Sequence, residues 1–211
     1  VMSDIGRSLK EELRPKEQSV VDMIRIATYI HQIPAAIELI EDAHAKGYET
    51  TVNIMAISKV SEKELDEVLE ALSKTNVDVI YIADSFGSFY PEQIRKLTEK
   101  YLSFAQKSGK KVGIHAHNNL QLAYANTLEA MIYGASFLDV TVSGLGRGAG
   151  NCPLELLLGF LKNPKYKQMP VLEFIENYIV DLEKKLDWGY SIPYMITGQL
   201  NEHPRAAMKA R

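Results

Sequence analysis

The chain has 211 residues, 46% hydrophobic and 24% charged, with a formal net charge of -3. That length buries a sizeable core in one or two domains, and the near-balanced charge gives no footprint for nucleic acid or an acidic membrane. No apolar run reaches a membrane span, and the single cysteine, Cys152, excludes an intrachain disulfide, which fits a reducing cytoplasm.

Residues 1–20 carry the charged run Lys10-Glu11-Glu12-Leu13-Arg14-Pro15-Lys16-Glu17 and read as a surface helix and linker. Val21 to Ala27 reads as a buried strand. Pro34 opens a helix with apolar Ala36, Ile37, Ile40 and Ala43, and Gly47 closes it, the expected asymmetry of proline at the start and glycine past the end. Thr50 to Ile57 is a second strand. Ser61 and Glu64 form a capping box ahead of the helical face Leu65, Val68, Leu69 and Leu72. Val77 to Ala83 is a third strand. Pro91 starts a helix with Ile94, Leu97, Tyr101 and Leu102, which ends at Gly109. Lys111 to His115 is a fourth strand, followed by a helix over Leu120 to Tyr133 and a stop at Gly134. Phe137 to Val142 is a fifth strand. After a glycine-rich loop, Pro153 opens a helix with Leu154, Leu157, Leu158 and Leu161.

Strand starts recur roughly every 25 to 35 residues, the length of a βα unit. The strands are apolar on both faces, as in a parallel sheet covered by helices. The pattern over residues 21–165 fits a doubly wound α/β sheet or part of a (β/α)8 barrel. Residues 166–211 read as a helical extension. Leu172, Ile175, Ile179, Leu182 and Leu186 make one long stripe, Trp188 to Tyr194 is irregular, and Gln199 to Arg211 is helical again.

In parallel α/β folds the chemistry sits at the C-terminal ends of the strands. His115 and His117 stand two apart at such an end. Side chains at i and i+2 of a strand share a face, so both imidazoles point to one place, as a metal site requires. Alone, the pair reads first as two polar residues at a strand end. Asp84 ligates a metal, orients a histidine or caps the following helix, and capping is the common role. Ser85 bonds a substrate carboxylate or makes a local turn. Arg25, inside a strand, binds an anion or pairs with Asp22 or another buried acid. The loop Gly144-Leu145-Gly146-Arg147-Gly148-Ala149-Gly150-Asn151 matches a dinucleotide fingerprint loosely, without the acidic residue that should follow. In a barrel its backbone N–H groups, at Gly146 and Gly148 for example, bind an anionic substrate. Asn151 caps the Pro153 helix or points into the site. Cys152 has no base beside it and reads as a buried structural thiol.

Taken together, several of these motifs resemble one family. They are Val112-Gly113-Ile114-His115-Ala116-His117-Asn118-Asn119-Leu120, Ala125-Asn126-Thr127 and the run from Gly144 through Glu155. Ile24-Arg25-Ile26-Ala27-Thr28, Ile80-Tyr81-Ile82-Ala83-Asp84-Ser85 and Trp188-Gly189-Tyr190 follow the same pattern. In order and spacing they are similar to the metallolyase barrels of the HMG-CoA lyase type, and within them to the 4-hydroxy-2-oxovalerate aldolases. The resemblance implies a TIM barrel of which this chain supplies the last five βα units. It implies that His115 and His117 ligate a divalent ion, Mn or Mg in preference to Zn, with Asn151 nearby or ligating. Asp84 and Ser85 line the pyruvate side of the pocket, with Arg25 on the substrate, and Tyr190 assists proton transfer. The implied reaction cleaves a 4-hydroxy-2-keto acid to pyruvate and an aldehyde. The implied partners are that small-molecule substrate, a second copy in a homodimer and an acylating aldehyde dehydrogenase.

One departure stands out. The family's first strand carries an Asp-x-Thr-Leu-Arg-Asp-Gly type motif that supplies a third metal ligand and a keto-acid arginine, and this sequence has none. Five βα units cannot close an eight-stranded barrel, so the chain reads as the C-terminal part of a longer barrel and not a competent aldolase by itself. Two other readings use the same residues: a Claisen-type acyltransferase of the isopropylmalate synthase kind, and a degenerate, non-catalytic barrel module.

Overall fold

A computed structural model describes residues 1–8, 10–162, 165–186 and 188–209. Six strands form one sheet in chain order: β1 (Met2–Asp4), β2 (Met23–Thr28), β3 (Glu49–Ile54), β4 (Val79–Asp84), β5 (Lys111–Ala116) and β6 (Phe137–Leu138). Every neighbouring pair is parallel. Helices α1 (Ile33–Ala45), α2 (Glu62–Ser73), α3 (Pro91–Ala105) and α4 (Ala123–Ile132) connect β2 through β6. This is the βα succession of a TIM-type barrel, with β1 and β6 as open edges among the described residues.

The sequence dictates these elements locally. Ser61 Oγ accepts from Glu64 N, and the Glu64 carboxylate accepts from Ser61 N at 3.0 Å, so the capping box closes in both directions. Pro34 and Pro91 sit in the first turns of α1 and α3, where a missing N–H costs nothing. Gly109 and Gly134 take left-handed φ values of 69° and 111° just past the helical segments before β5 and β6.

Parallel register puts matched residues on one face of the sheet. Ile24, Ile26, Val52, Ile54, Ile80, Ile82, Val112 and Ile114 are 0–4% exposed and pack under Ile40, Leu69, Leu72, Ile94 and Tyr101 of the helices. Fully burying each such side chain stabilises by about 1.5–3 kcal/mol. The opposite face is polar: Arg25 pairs in register with Thr51, Asn53 with Tyr81, and Ala83 with His115. The strands are therefore buried on both sides but chemically two-faced, and the polar face carries the site.

Four expectations need correction. Residues 1–20 contain a sixth strand: Met2–Asp4 pairs with Arg25–Ala27, and two short 3-10 turns at Lys10–Glu12 and Lys16–Gln18 follow in place of a surface helix. Three residues are too few to show a period. The last strand stops at Leu138. Beyond it Thr141 bridges Pro153 and the chain turns at Val142–Gly144, where Ser143 takes φ 53°. After α5 (Leu154–Leu161), the long stripe is not one regular helix: α6 (Met169–Phe174) runs through a π turn at Ile175–Ile179 into α7 (Val180–Glu183). Only Ile179 of the stripe is buried, while Leu172 and Leu186 are exposed. At the C-terminus, α8 (Ile192–Gln199) forms where irregular chain was expected, and α9 covers only Arg205–Lys209; residues 210 and 211 lie outside the described residues.

Candidate active site

A cavity of about 270 Å³ opens at the C-terminal ends of the strands. Its lining includes Ala27, Asn53, Ala83 and Ser85 from the ends of β2, β3 and β4, and His115 and His117 from the end of β5. Arg147 comes from the glycine-rich loop, and His203 from the turn between α8 and α9. A second cavity of about 170 Å³ shares His115 and is bounded by Arg25, Asp139, Val140, Thr141 and Asn151.

The two histidines meet as the strand period requires. Their ring centroids are 5.1 Å apart with planes at 85°. His115 Nδ1 lies 2.9 Å from Asp139 Oδ2. Asp139 also receives a two-point contact from Arg25, Nη2 to Oδ1 at 2.8 Å and Nη1 to Oδ2 at 2.6 Å. Burial pushes the Asp139 carboxyl up, but His115 and Arg25 outweigh it and hold it below the usual carboxylate range. His117 is pushed down to about 3, by burial first and then by the neighbouring His115 and Arg147, so its ring is neutral at physiological pH. A neutral imidazole is the form that ligates a metal.

Arg25 is thus the partner of a buried acid, and that acid is Asp139 and not Asp22, which pairs with Lys16 at 2.6 Å. Above the Arg25 guanidinium the Tyr81 ring stacks at 4.1 Å. Gly113 makes room for that ring, since a Cβ there would lie 2.6 Å from it. Arg25 faces the smaller cavity and does not line the main one.

Asn151 is not a helix cap, because Pro153 holds that position. Asn151 pairs with His117 through an isolated antiparallel bridge, its Nδ2 donates to Leu145 O at 3.2 Å, and its buried Oδ1 has no partner. Asn53 Oδ1 and Thr141 Oγ1 are likewise buried and unpartnered. Buried oxygens of this kind normally have a partner, so three around the histidines mark a place for a ligand.

Other expected residues fall elsewhere. Asp84 is fully buried, and its carboxylate accepts from Ser88 N at 2.9 Å and Phe89 N at 3.4 Å, so it organises the loop after β4 and lines neither cavity. Ser85 does line the main cavity, but its Oγ accepts from Ala56 N at 3.0 Å. Gly146 and Gly148 line neither cavity. A Cβ at Gly146 would overlap the Asn151 amide, and Gly148, with φ 66°, packs under Tyr194. Within the loop, Gly144, Leu145, Gly150 and Asn151 donate their N–H groups to the loop's own carbonyls or those just before it, so these four hold the loop's own fold. Tyr190 is 57% exposed and outside the cavity. Burial pushes the Cys152 thiol up to about 11, as expected for an inert structural cysteine.

Sequence reasoning missed Asp139 and His203. Asp139 had a signal: on the face counting from Phe137, it stands two residues along, beside His115 on the next strand. His203 had none, as it follows the strand region by more than one helix.

The imidazoles of His115 and His117 with the orphan oxygen of Asn151 fit a divalent ion, being nitrogen and oxygen donors of the right kind. Among the described residues no third His, Cys, Asp or Glu joins them. No helix among those residues is long and apolar enough to cross a membrane.

A parallel βα barrel sheet with paired histidines at its C-terminal rim defines the class. The comparisons give the family. The HMGL-like family model matches residues 24–176, and the chain belongs to that family. It is 35% identical over 142 residues to the oxaloacetate decarboxylase of Mycobacterium tuberculosis, covering 67% of this chain and 41% of that one. It is 32% identical over 182 residues to the 4-hydroxy-2-oxovalerate aldolase of Geobacillus thermodenitrificans, covering 83% and 52%. The chain thus spans about half the length of these relatives. Among solved structures it superposes on the N-terminal domain of a protein from Bacteroides vulgatus described as an aldolase. The TM-score is 0.82 at 30% identity, over 99% of this chain and 71% of that one. The carboxyl transferase domain of Rhizobium etli pyruvate carboxylase shares the fold alone, with a TM-score of 0.70 at 14% identity over 90% and 35% of the two chains.

Proposed function

We propose that the chain forms the histidine-bearing part of a divalent-metal-dependent aldolase that cleaves a 4-hydroxy-2-keto acid to pyruvate and an aldehyde. The observation that carries this reading is the pair His115 and His117 converging on one cavity, with Asp139 behind the first. A divalent ion held by His115, His117 and Asn151 would polarise a keto oxygen and stabilise the negative charge that develops as the carbon–carbon bond breaks.

The protein groups have separate tasks. Asp139 takes the Nδ1 proton of His115 as a hydrogen bond and leaves Nε2 free as a donor atom. The neutral His117 adds a second imidazole without a proton to displace. Ala27, Met55, Ala56, Ala83 and Phe86 give the cavity apolar walls, which exclude water and strengthen the electrostatics inside. The names of the relatives support the lyase class, and Mn or Mg is the favoured ion.

The test is pyruvate release from 4-hydroxy-2-oxovalerate by the intact protein with Mn2+ or Mg2+ and after chelation. The reading expects activity only with metal, and a loss of at least a thousandfold in a His115→Ala, His117→Ala double variant. Full activity in that variant would sink it. Release of free CoA from an acyl-CoA and a keto acid would instead favour the acyltransferase.

A further inference from the structure

The main cavity is one-signed. Apart from Tyr29, its titratable lining is His115, His117, Arg147 and His203, and no Asp or Glu reaches it. Arg147 makes no ion pair among the described residues, and its Nη2 donates only to the Ser85 carbonyl at 3.3 Å. Of the other cations, Arg25 is matched by Asp139 and Lys59 by Glu202, while Arg205 adds a further positive charge near Arg147 and His203. His203, from the turn between α8 and α9, packs on the same loop after β4, with its ring edge-on to Phe86 at 5.7 Å. Its Nδ1 accepts from Arg205 N at 3.0 Å, so the neutral ring carries its proton on Nε2. Two donors from distant segments thus meet at the rim with no carboxylate between them. Burial, Arg147 and Arg205 all push the His203 ring down, as expected where like charges crowd.

Under the aldolase reading, on which this inference rests, the substrate's own carboxylate is spoken for. It is adjacent to the keto oxygen, so that end of the substrate would be held where His115 and His117 would place a divalent ion. The rim is left for something else. We propose that Arg147 and His203 bind a second carboxylate at the far end of the substrate, so that the site selects a 2-keto diacid. The cavity, at about 270 Å³, accommodates a short diacid, and Arg binds carboxylates through two parallel N–H bonds.

The matched probes are 2-oxoglutarate and 2-oxovalerate, which have the same chain length and differ in the terminal carboxylate. Binding is measured calorimetrically on the intact protein with Mn2+. The expected result is 2-oxoglutarate binding at least tenfold tighter, with the advantage lost in Arg147→Met, reduced in His203→Gln and largely kept in Arg147→Lys. 2-Oxovalerate affinity should stay within twofold in all three. Equal affinities in the natural protein would overturn the inference. So would an Arg147→Met variant that weakens both ligands alike, which would mean that Arg147 holds the carboxylate next to the keto group. If glutarate, which lacks the keto group, binds as tightly as 2-oxoglutarate in an Arg147-dependent way, the rim site stands and the keto-acid reading falls. If neither keto acid binds, both fall.

Discussion

Asp139 Oδ2 holds His115 Nδ1 at 2.9 Å while the same carboxylate is clamped by both terminal nitrogens of Arg25. The arrangement fixes which ring nitrogen of His115 faces the cavity, because the nitrogen bonded to a carboxylate keeps the proton. Arg25 does for Asp139 what Asp139 does for His115. The chain of contacts runs from a strand near the N-terminus to the imidazole through side chains 114 residues apart in sequence.

Asp139→Asn should therefore weaken divalent-metal binding by about 10–100-fold, the usual cost of losing the group behind a ligating histidine. His117 remains in place, so binding is weakened and not abolished. Calorimetric titration with Mn2+ measures it. Unchanged affinity would show that His115 is oriented by packing alone.

The support for Arg25 can be tested from the neighbouring strand β5. A Cβ at Gly113 would lie 2.6–2.7 Å from three atoms of the Tyr81 ring, which stacks on Arg25. Gly113→Ala should cost roughly 1–3 kcal/mol, as overpacking does. The same change in a Tyr81→Leu background should cost much less, and a double-mutant cycle by urea denaturation reads that coupling. Additive costs would mean that the ring moves aside freely.

Asp84 gives a pH signature. Burial raises its carboxyl to about 7 against the backbone N–H groups of Ser88, Phe89 and Gly87, which pull the other way. A raised folded pKa means the folded state holds the proton longer than the unfolded one. The stability it contributes is fully present below about pH 4 and is lost as pH rises to about 7. The margin of the natural protein over Asp84→Asn should be widest near pH 5 and shrink by pH 8, as melting temperatures across that range would show. A margin that grows with pH would mean that the loop N–H groups prefer the ionised carboxylate.

The sequence shows some of this directly and hides the rest for identifiable reasons. The capping box at Ser61 and Glu64, the prolines that open α1 and α3, and the shared face of His115 and His117 depend on neighbours within four residues, so local spacing reveals them. The sequence leaves Arg25 between a bound anion and a buried acid, because strand register sets its pairing with Asp139 and β6 is only two residues long. Asp84 and Asn151 each carried a capping and a site reading. Tertiary geometry resolved them in opposite directions: Asp84 caps a loop, and Asn151 points an unpartnered oxygen inward. His203 reaches the cavity only through the packing of the C-terminal helices, which no local pattern encodes.

The single tryptophan supplies a reporter at the glycine loop. Trp188 is 8% exposed, donates from Nε1 to Ser143 O at 3.2 Å and packs beside Gly150, next in sequence to Asn151. Asn151 is tied to His117 by backbone pairing, so an ion that draws its side chain inward perturbs the loop on which Trp188 rests. Titrating Mn2+ should change Trp188 fluorescence in a saturable way, with a midpoint that follows the calorimetric affinity. The same titration of the His115→Ala, His117→Ala variant should be flat. An equal response in both proteins would place the ion elsewhere, and no response in the natural protein would show that the loop does not move when the histidines are occupied.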